Sequence, residues 1–137
     1  MLGPKALDIL HTKHLLSLTL ETFKKYKEAA KIARENHRDR AEVLGRTNTD
    51  TLALGQVLSR YLWLSGGRED EAINISEQLL STAEESFDDM DRELVAPLFL
   101  LANQYMATKK LSEAENLFRR CLKIEEKELG PYHKDVA

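Results

Sequence analysis

The chain has 137 residues, which is enough for one domain of ordinary size. It is 42% hydrophobic and 31% charged, which is typical of a charge-rich helical protein, and its three prolines and six glycines leave few sites for the turns of a many-stranded β fold. The formal net charge of -3 gives no support to general nucleic-acid binding, which requires a strongly cationic surface.

Hydrophobic residues recur at helical spacing along the chain, and this pattern predicts six helices. Polar or glycine-containing turns separate them, including Gly45, Ser65-Gly66-Gly67 and Lys109-Lys110, and Gly130-Pro131 ends the last helix. Because the turns are short, consecutive helices are expected to form three antiparallel pairs. The expected spans, in chain order, are 5–23, 26–44, 50–64, 68–86, 92–107 and 111–129.

Each predicted helix has an apolar face that we expect to be buried. In the first pair these faces comprise Leu16, Leu20 and Phe23, then Tyr26, Ala29, Ala30 and Ala33. In the second pair they comprise Leu54, Leu58 and Leu62, then Ala72, Ile73, Ser76, Leu79, Leu80 and Ala83. In the third pair they comprise Leu98, Leu101, Ala102 and Tyr105, then Leu111, Ala114, Phe118, Cys121 and Leu122. Alanine at a helix crossing lets two backbones approach closely, while larger side chains fill the gaps around it.

The pairs repeat at a nearly fixed period. Three alanines that follow a glutamate, Ala29, Ala72 and Ala114, lie 43 and 42 residues apart. A second marker, Leu-Gly, occurs in step at Leu2-Gly3, Leu44-Gly45 and Leu129-Gly130. A period of this size indicates a stacked array of repeats, because one such unit cannot bury its apolar face alone.

The residues around these markers resemble a known repeat. Segments 23–29 (FKKYKEA) and 109–114 (KKLSEA) resemble the turn and second-helix start of a tetratricopeptide repeat. The ending 129–137 (LGPYHKDVA) is similar to the junction between repeats in the subclass found in kinesin light chains and similar adaptors, whose repeat length of 42 residues is also the spacing of Ala72 and Ala114. Leu2-Gly3-Pro4 resembles the same junction.

This resemblance implies an all-α fold, an α-solenoid of about three antiparallel helix pairs in a right-handed superhelix. We expect a single repeat domain over residues 1–137, with units near 5–45, 50–87 and 92–130 and the start of a further repeat at 131–137.

The resemblance also implies a binding site, because the first helix of each pair lines a concave groove in this family. The corresponding candidates for peptide binding are His14, Leu18, Glu21, Gln56, Arg60, Trp63, Phe99, Asn103 and Met106. Trp63 is the strongest candidate for an anchor, although it is equally compatible with packing between helices. Phe99 and Met106 are candidates either for binding an apolar side chain or for packing between repeats, and Arg60 is either a partner for an acidic ligand or an exposed charge.

The sequence indicates no catalytic centre, metal site or cofactor. His11 and His14 share a helix face, but no third metal ligand clearly joins them. Gly66-Gly67 lacks the Lys-Ser/Thr of a phosphate loop, and Cys121 lies at a packing position without an activating base. The acidic run 84–93 lacks the spacing of a calcium loop; it suits a solvated turn beside a helix start, or attraction of a basic partner.

The sequence therefore predicts a non-catalytic scaffold or adaptor that binds a peptide or helix of a partner protein in its groove. The alternative is a structural segment of a longer array that associates through its open ends, with neighbouring repeats or with itself. The single cysteine excludes an internal disulfide and suits the cytoplasm. No nucleic-acid partner is expected, because the net charge is negative. No membrane insertion is expected, because the longest apolar run, 94–102, is too short to span a bilayer.

Overall fold

The computed structural model describes residues 6–130, and within them it contains six α-helices. The helices are α1 (Ala6–Thr22), α2 (Tyr26–Leu44), α3 (Thr49–Ser65), α4 (Glu69–Ser86), α5 (Val95–Ala107) and α6 (Leu111–Leu129). A short 3-10 helix, Arg92–Leu94, precedes α5. The expected spans are confirmed to within one residue, except that the first three residues predicted for the fifth helix form the 3-10 turn.

The chain divides into two compact units, Met1–Leu79 and Leu80–Ala137, and α4 runs through the division. The proposed single domain over residues 1–137 stays a prediction. Leu2-Gly3-Pro4 and residues 131–137 lie outside the described residues. Within residues 6–130, no helix combines the length and apolar character needed to cross a bilayer.

The core of the first unit is built around small residues of α2. Ala29, Ala30 and Ala33 are buried, as predicted. They form a cluster with four buried residues of α3 and α4, namely Leu58, Tyr61, Leu62 and Ala72. Alanine on α2 permits the close approach that lets Tyr61 and the leucines of α3 fill the space between the helices.

A buried polar contact joins α3 to α4 in the same unit. The Ser59 hydroxyl lies 2.7 Å from the Ser76 hydroxyl and donates to the Ala72 carbonyl oxygen at 2.9 Å. Both serines are fully buried, so these bonds compensate the loss of hydration. The small polar residues therefore hold two helices at close approach.

The second unit has its own core between α5 and α6. Leu98, Leu101 and Ala102 of α5 are buried, and so are Ala114 and Cys121 of α6, as predicted. These side chains alternate between large and small, and this alternation allows interdigitation at the crossing.

The turn between α1 and α2 has the same geometry as the turn between α5 and α6. Lys24 and Lys109 adopt positive φ values of 57° and 70°. The next residue in each turn donates a 2.8 Å backbone hydrogen bond five residues back, Lys25 to Leu20 and Lys110 to Tyr105. The turn between α3 and α4 has the same length but has two glycines at positive φ, Gly66 at 82° and Gly67 at 72°. The sequence repeat is thus also a repeat of turn geometry.

Four residues assigned to buried faces are instead exposed, and the prediction for them was wrong. Leu16 and Phe23 of α1 and Leu111 and Leu122 of α6 are exposed, whereas Leu20 is half-buried. Helical periodicity identifies an apolar stripe, but burial also requires a neighbouring helix that covers it.

Candidate binding surfaces

The first unit brings together several predicted groove residues on α1 and α3, and we call His14, Leu18, Glu21, Gln56, Arg60 and Trp63 the α1–α3 strip. Arg60 Nη2 lies 2.9 Å from Glu21 Oε1, so two predicted site residues form an ion pair between the helices. Both side chains remain partly exposed. This arrangement differs from the free cation that an acidic ligand alone would require.

The buried Tyr61 contacts both members of this ion pair. Its fully buried side chain donates a 3.0 Å hydrogen bond to Glu21 Oε2, and its hydroxyl lies 3.5 Å from the Ser17 carbonyl oxygen. Burial, together with the hydrogen bond to Glu21, raises the pKa of Tyr61 to about 12, so the phenol remains a donor at neutral pH. The Arg60 guanidinium also lies 5.5 Å from the Tyr61 ring centroid.

The other members of the α1–α3 strip provide polar and apolar surface. Leu18 is exposed, and Gln56 is half-buried. Trp63 is half-buried and packs against the alanine-rich cluster, so part of its ring serves the core. His14 is half-buried, and desolvation, together with the charge of Arg40 and the nearby His11, lowers its pKa. The imidazole is therefore neutral at physiological pH.

Three predicted groove residues lie in the second unit, on α5. Phe99, Asn103 and Met106 are exposed. The Phe99 ring meets the Phe118 ring of α6 edge-on, with centroids 5.4 Å apart and an interplanar angle of 79°. An edge-to-face arrangement is a favourable geometry for an aromatic pair.

Two open cavities lie on α5 and α6, with Phe99 in the wall of one and Phe118 in the wall of the other. The larger, of about 850 Å³, is lined by Val95, Phe99, Asn103 and Leu129 among others. The smaller, of about 450 Å³, is lined by Met106, Leu111, Phe118 and Leu122 among others. Sequence reasoning assigned the α6 residues to the core and missed this surface. Leu111 and Phe118 are seven residues apart, and so are Leu122 and Leu129. This spacing indicates that they form one narrow apolar stripe along α6.

The remaining chemical groups show no reactive arrangement. Among the side chains that the structure describes, no three His, Cys, Asp or Glu residues are grouped to hold a metal ion. Burial raises the pKa of the Cys121 thiol, which lies 3.9 Å from the Val95 carbonyl oxygen. In the acidic run, Asp88 and Asp91 accept backbone hydrogen bonds from Met90 and Glu93, so these carboxylates form the turn before α5.

Comparison with known proteins agrees with this geometry. Residues 100–135 match the family model of the tetratricopeptide repeat. The fold is similar to crystal structures of nearly identical TPR-like repeats from a Podosopora anserina protein designated a kinesin light chain. One structure has a TM-score of 0.79 at 22% identity and covers 87% of this chain; a second structure of those repeats, carrying a substitution, has a TM-score of 0.80 at 22% identity and covers 95%.

The third helix pair is therefore similar to a tetratricopeptide repeat. The sequence match lies in the third helix pair, and the likeness to solved structures extends the same fold over most of the chain. The predicted α-solenoid of antiparallel helix pairs is confirmed. The chain spans 56 and 60% of the length of the two similar structures. No curated protein matches it.

The candidate groove residues occupy equivalent positions of the first helices of successive pairs. Glu21, Trp63 and Met106 are one such set, spaced 42 and 43 residues apart. The chemistry changes along the set, from a carboxylate to an indole to a thioether. This set of positions is therefore polar on α1 and apolar on α5.

Proposed function

We propose that this chain is a non-catalytic adaptor that holds a peptide or a helix of a partner protein along the α1–α3 strip. Tetratricopeptide repeats serve in general as protein-interaction scaffolds, and this coarser function follows from the fold. The observation that supports the finer proposal is the Glu21–Arg60 pair, which lies beside exposed Leu18 and is open to solvent on both side chains.

The chemistry of the α1–α3 strip favours a particular kind of ligand. An acidic residue of a ligand would compete for Arg60, and a basic residue would compete for Glu21, so the ion pair fixes the register of a charged segment. Leu18 and the accessible part of Trp63 then provide apolar contact for the adjacent ligand residue. The ligand is therefore a short segment in which a charged residue accompanies an apolar one.

Phe99, Asn103 and Met106 belong to the same proposal as a second contact surface on α5, in the other unit. Their exposure is compatible with binding an apolar ligand segment. A cytoplasmic location is also part of the proposal, because a buried thiol in a chain without disulfides suits a reducing compartment.

The test is selection of peptides from a displayed random library with the wild-type chain as bait. The affinity of each selected peptide is then measured by fluorescence polarisation for the wild type, Arg60→Ala and Trp63→Ala. Each variant should bind about 5- to 30-fold more weakly, because truncating a central contact costs about 1–2 kcal/mol. Circular dichroism checks that Trp63→Ala remains helical, since this side chain also packs against the core.

Arg38→Ala is the matched control for charge. It removes an arginine from exposed α2 surface, where the only described pair is with the adjacent Asp39. This control should bind peptides like the wild type. Selected peptides that bind Arg60→Ala and Trp63→Ala as tightly as the wild type would place the ligand elsewhere and refute the proposal.

A further inference from the structure

The interior of the first helix pair holds an amide at a position where the other two pairs have an apolar side chain. Asn36 of α2 is fully buried. Offsets of 43 and 85 residues, which separate the marker alanines, relate it to Leu79 of α4 and Cys121 of α6, and both of these are also buried. The packing of this position in the repeat therefore does not itself require a polar residue.

The buried amide of Asn36 has no partner within the chain that the structure describes. Neither Oδ1 nor Nδ2 makes a hydrogen bond within residues 6–130, and both atoms are shielded from solvent. Burying an amide without a hydrogen bond is costly, and buried polar groups are almost always paired with protein atoms or with an ordered small molecule. The amide therefore points to a bound polar species.

Arg40 provides a third atom of this kind, one helical turn further along α2. Its Nε atom is shielded from solvent and makes no hydrogen bond to any residue in the described range. Residues four apart share a helix face, and helical side chains lean toward the N-terminus of the helix. The Arg40 side chain is therefore directed toward Asn36.

His14 of α1 provides a fourth atom, Nδ1, which is likewise shielded and without a partner among residues 6–130. Desolvation, followed by the charges of Arg40 and His11, lowers the pKa of His14, so the neutral imidazole lies within electrostatic range of the guanidinium. A neutral imidazole carries a proton on only one nitrogen, and the other nitrogen accepts hydrogen bonds. His14 therefore adds an acceptor to the donor of Arg40.

Ion pairs define the level at which α1 lies against this part of α2. Lys13 Nζ, on the residue before His14, lies 3.8 Å from Glu35 Oε2 and 3.6 Å from Asp39 Oδ2. These two acids flank Asn36 in the sequence. His14 therefore lies beside the turn of α2 that carries the buried amide.

We propose that one ordered water molecule binds inside the first helix pair, within a set of side chains that we call the α1–α2 polar cluster: His14, Asn36 and Arg40. The water accepts a hydrogen bond from Arg40 Nε–H and donates one to His14 Nδ1. It completes its bonding with the Asn36 amide, whose oxygen accepts and whose nitrogen donates. Buried waters typically make about three hydrogen bonds, which is the number of side chains in the cluster.

The mixture of donors and acceptors is the reason for choosing water as the ligand. A small anion such as chloride would also be attracted to Arg40, but an anion only accepts hydrogen bonds. It would leave Asn36 Oδ1 and the acceptor nitrogen of His14 unpaired, and both would repel it. Because all four atoms are shielded from solvent, a larger ligand does not reach them.

Oxygen-17 magnetic relaxation dispersion tests the proposal, because it counts the water molecules that stay bound longer than the protein takes to tumble. Asn36→Leu introduces the residue type found at Leu79, the equivalent position of α4, and His14→Phe removes Nδ1 but keeps a ring. Each variant should lower the count by about one. The double variant should lower it no further, because both substitutions release the same molecule.

Thr12→Val is the matched control on α1. It removes an exposed hydroxyl that donates to the Asp8 carbonyl oxygen at 3.0 Å, so the count of long-lived waters should not change. Circular dichroism and urea unfolding check that each variant is folded. A folded Asn36→Leu variant with the wild-type count, or an equal loss in Thr12→Val, would overturn the proposal.

Two measurements do not depend on how the Asn36 variant folds. In the wild type, the Asn36 side-chain amide protons should show a nuclear Overhauser effect to water with the sign of a long-lived complex, and its absence would refute the site. Chloride is then exchanged for gluconate at constant ionic strength. The melting temperature should stay the same; a rise with chloride that Arg40→Gln abolishes would assign the cluster to an anion instead.

Discussion

Gly55→Ala is the substitution whose effect depends most directly on the packing of the first unit. Gly55 is buried in the middle of α3, where alanine would ordinarily be favoured over glycine by about 1 kcal/mol. A Cβ atom at this position would lie 2.4 Å from Cδ2 and 3.0 Å from Cδ1 of Leu79, and 3.1 Å from Nε2 of His37. Local propensity and packing therefore predict opposite changes in stability.

The packing effect should exceed the propensity effect. Leu79 is itself buried, so its Cδ atoms have little free space to move into, and the imidazole of His37 closes the other side. Overpacking of this kind costs about 1–3 kcal/mol, and the gain in helix propensity offsets about 1 kcal/mol of it. We expect Gly55→Ala to lower the free energy of unfolding by up to about 2 kcal/mol.

Urea unfolding followed by far-ultraviolet circular dichroism measures this change. Ala53→Gly, at an exposed position of the same helix, calibrates the propensity effect and should cost about 1 kcal/mol. Leu79→Val removes the two Cδ atoms, so the double variant should be more stable than the sum of the single effects by about 1 kcal/mol. A Gly55→Ala protein more stable than the wild type, or strict additivity in the cycle, would refute the reasoning.

Three further predictions concern half-buried or buried polar groups. Burial lowers the pKa of His37 in the folded chain, so the unfolded chain binds more protons below about pH 6.5. The melting temperature should therefore fall as the pH drops from 7 to 5. His37→Gln should make this fall smaller. Ser59→Ala leaves the buried Ser76 hydroxyl without this partner and should cost about 1–2 kcal/mol in urea unfolding, whereas adding Ser76→Ala should cost little more; two additive losses would contradict the contact. Alkylation of buried Cys121, followed by mass spectrometry, should be at least about tenfold slower in the folded chain than in urea, because burial raises the thiol pKa; equal rates would show that the third pair opens freely.

Most of the helical architecture was predictable from local signals. The predicted faces of α3 and α4 are confirmed, because their apolar residues, such as Leu58 and Leu79, are buried. The small residues Ala29 and Ala114 mark the crossings at a fixed period, and this spacing identifies both the pairs and the family resemblance.

The limits of that prediction have a physical cause. Periodicity describes one helix at a time, and Leu58 and Leu16 occupy equivalent positions, yet one is buried and the other exposed. The difference depends on whether another helix lies beside the stripe, which is not a local property. The Glu21–Arg60 pair was likewise missed as a pair, because its partners lie 39 residues apart and meet only when α3 lies against α1.

The lysines at positive φ indicate where the information for pairing the helices resides. Lys24 and Lys109 adopt a left-handed conformation that costs a non-glycine residue about 1–2 kcal/mol, whereas glycine adopts it freely. The isolated turn segments should therefore rarely adopt this geometry by themselves. Docking of the helices imposes it, so these turns close as a result of pairing and do not direct it. Turn sequence is correspondingly free to vary among such repeats, provided the alanines at the crossings remain.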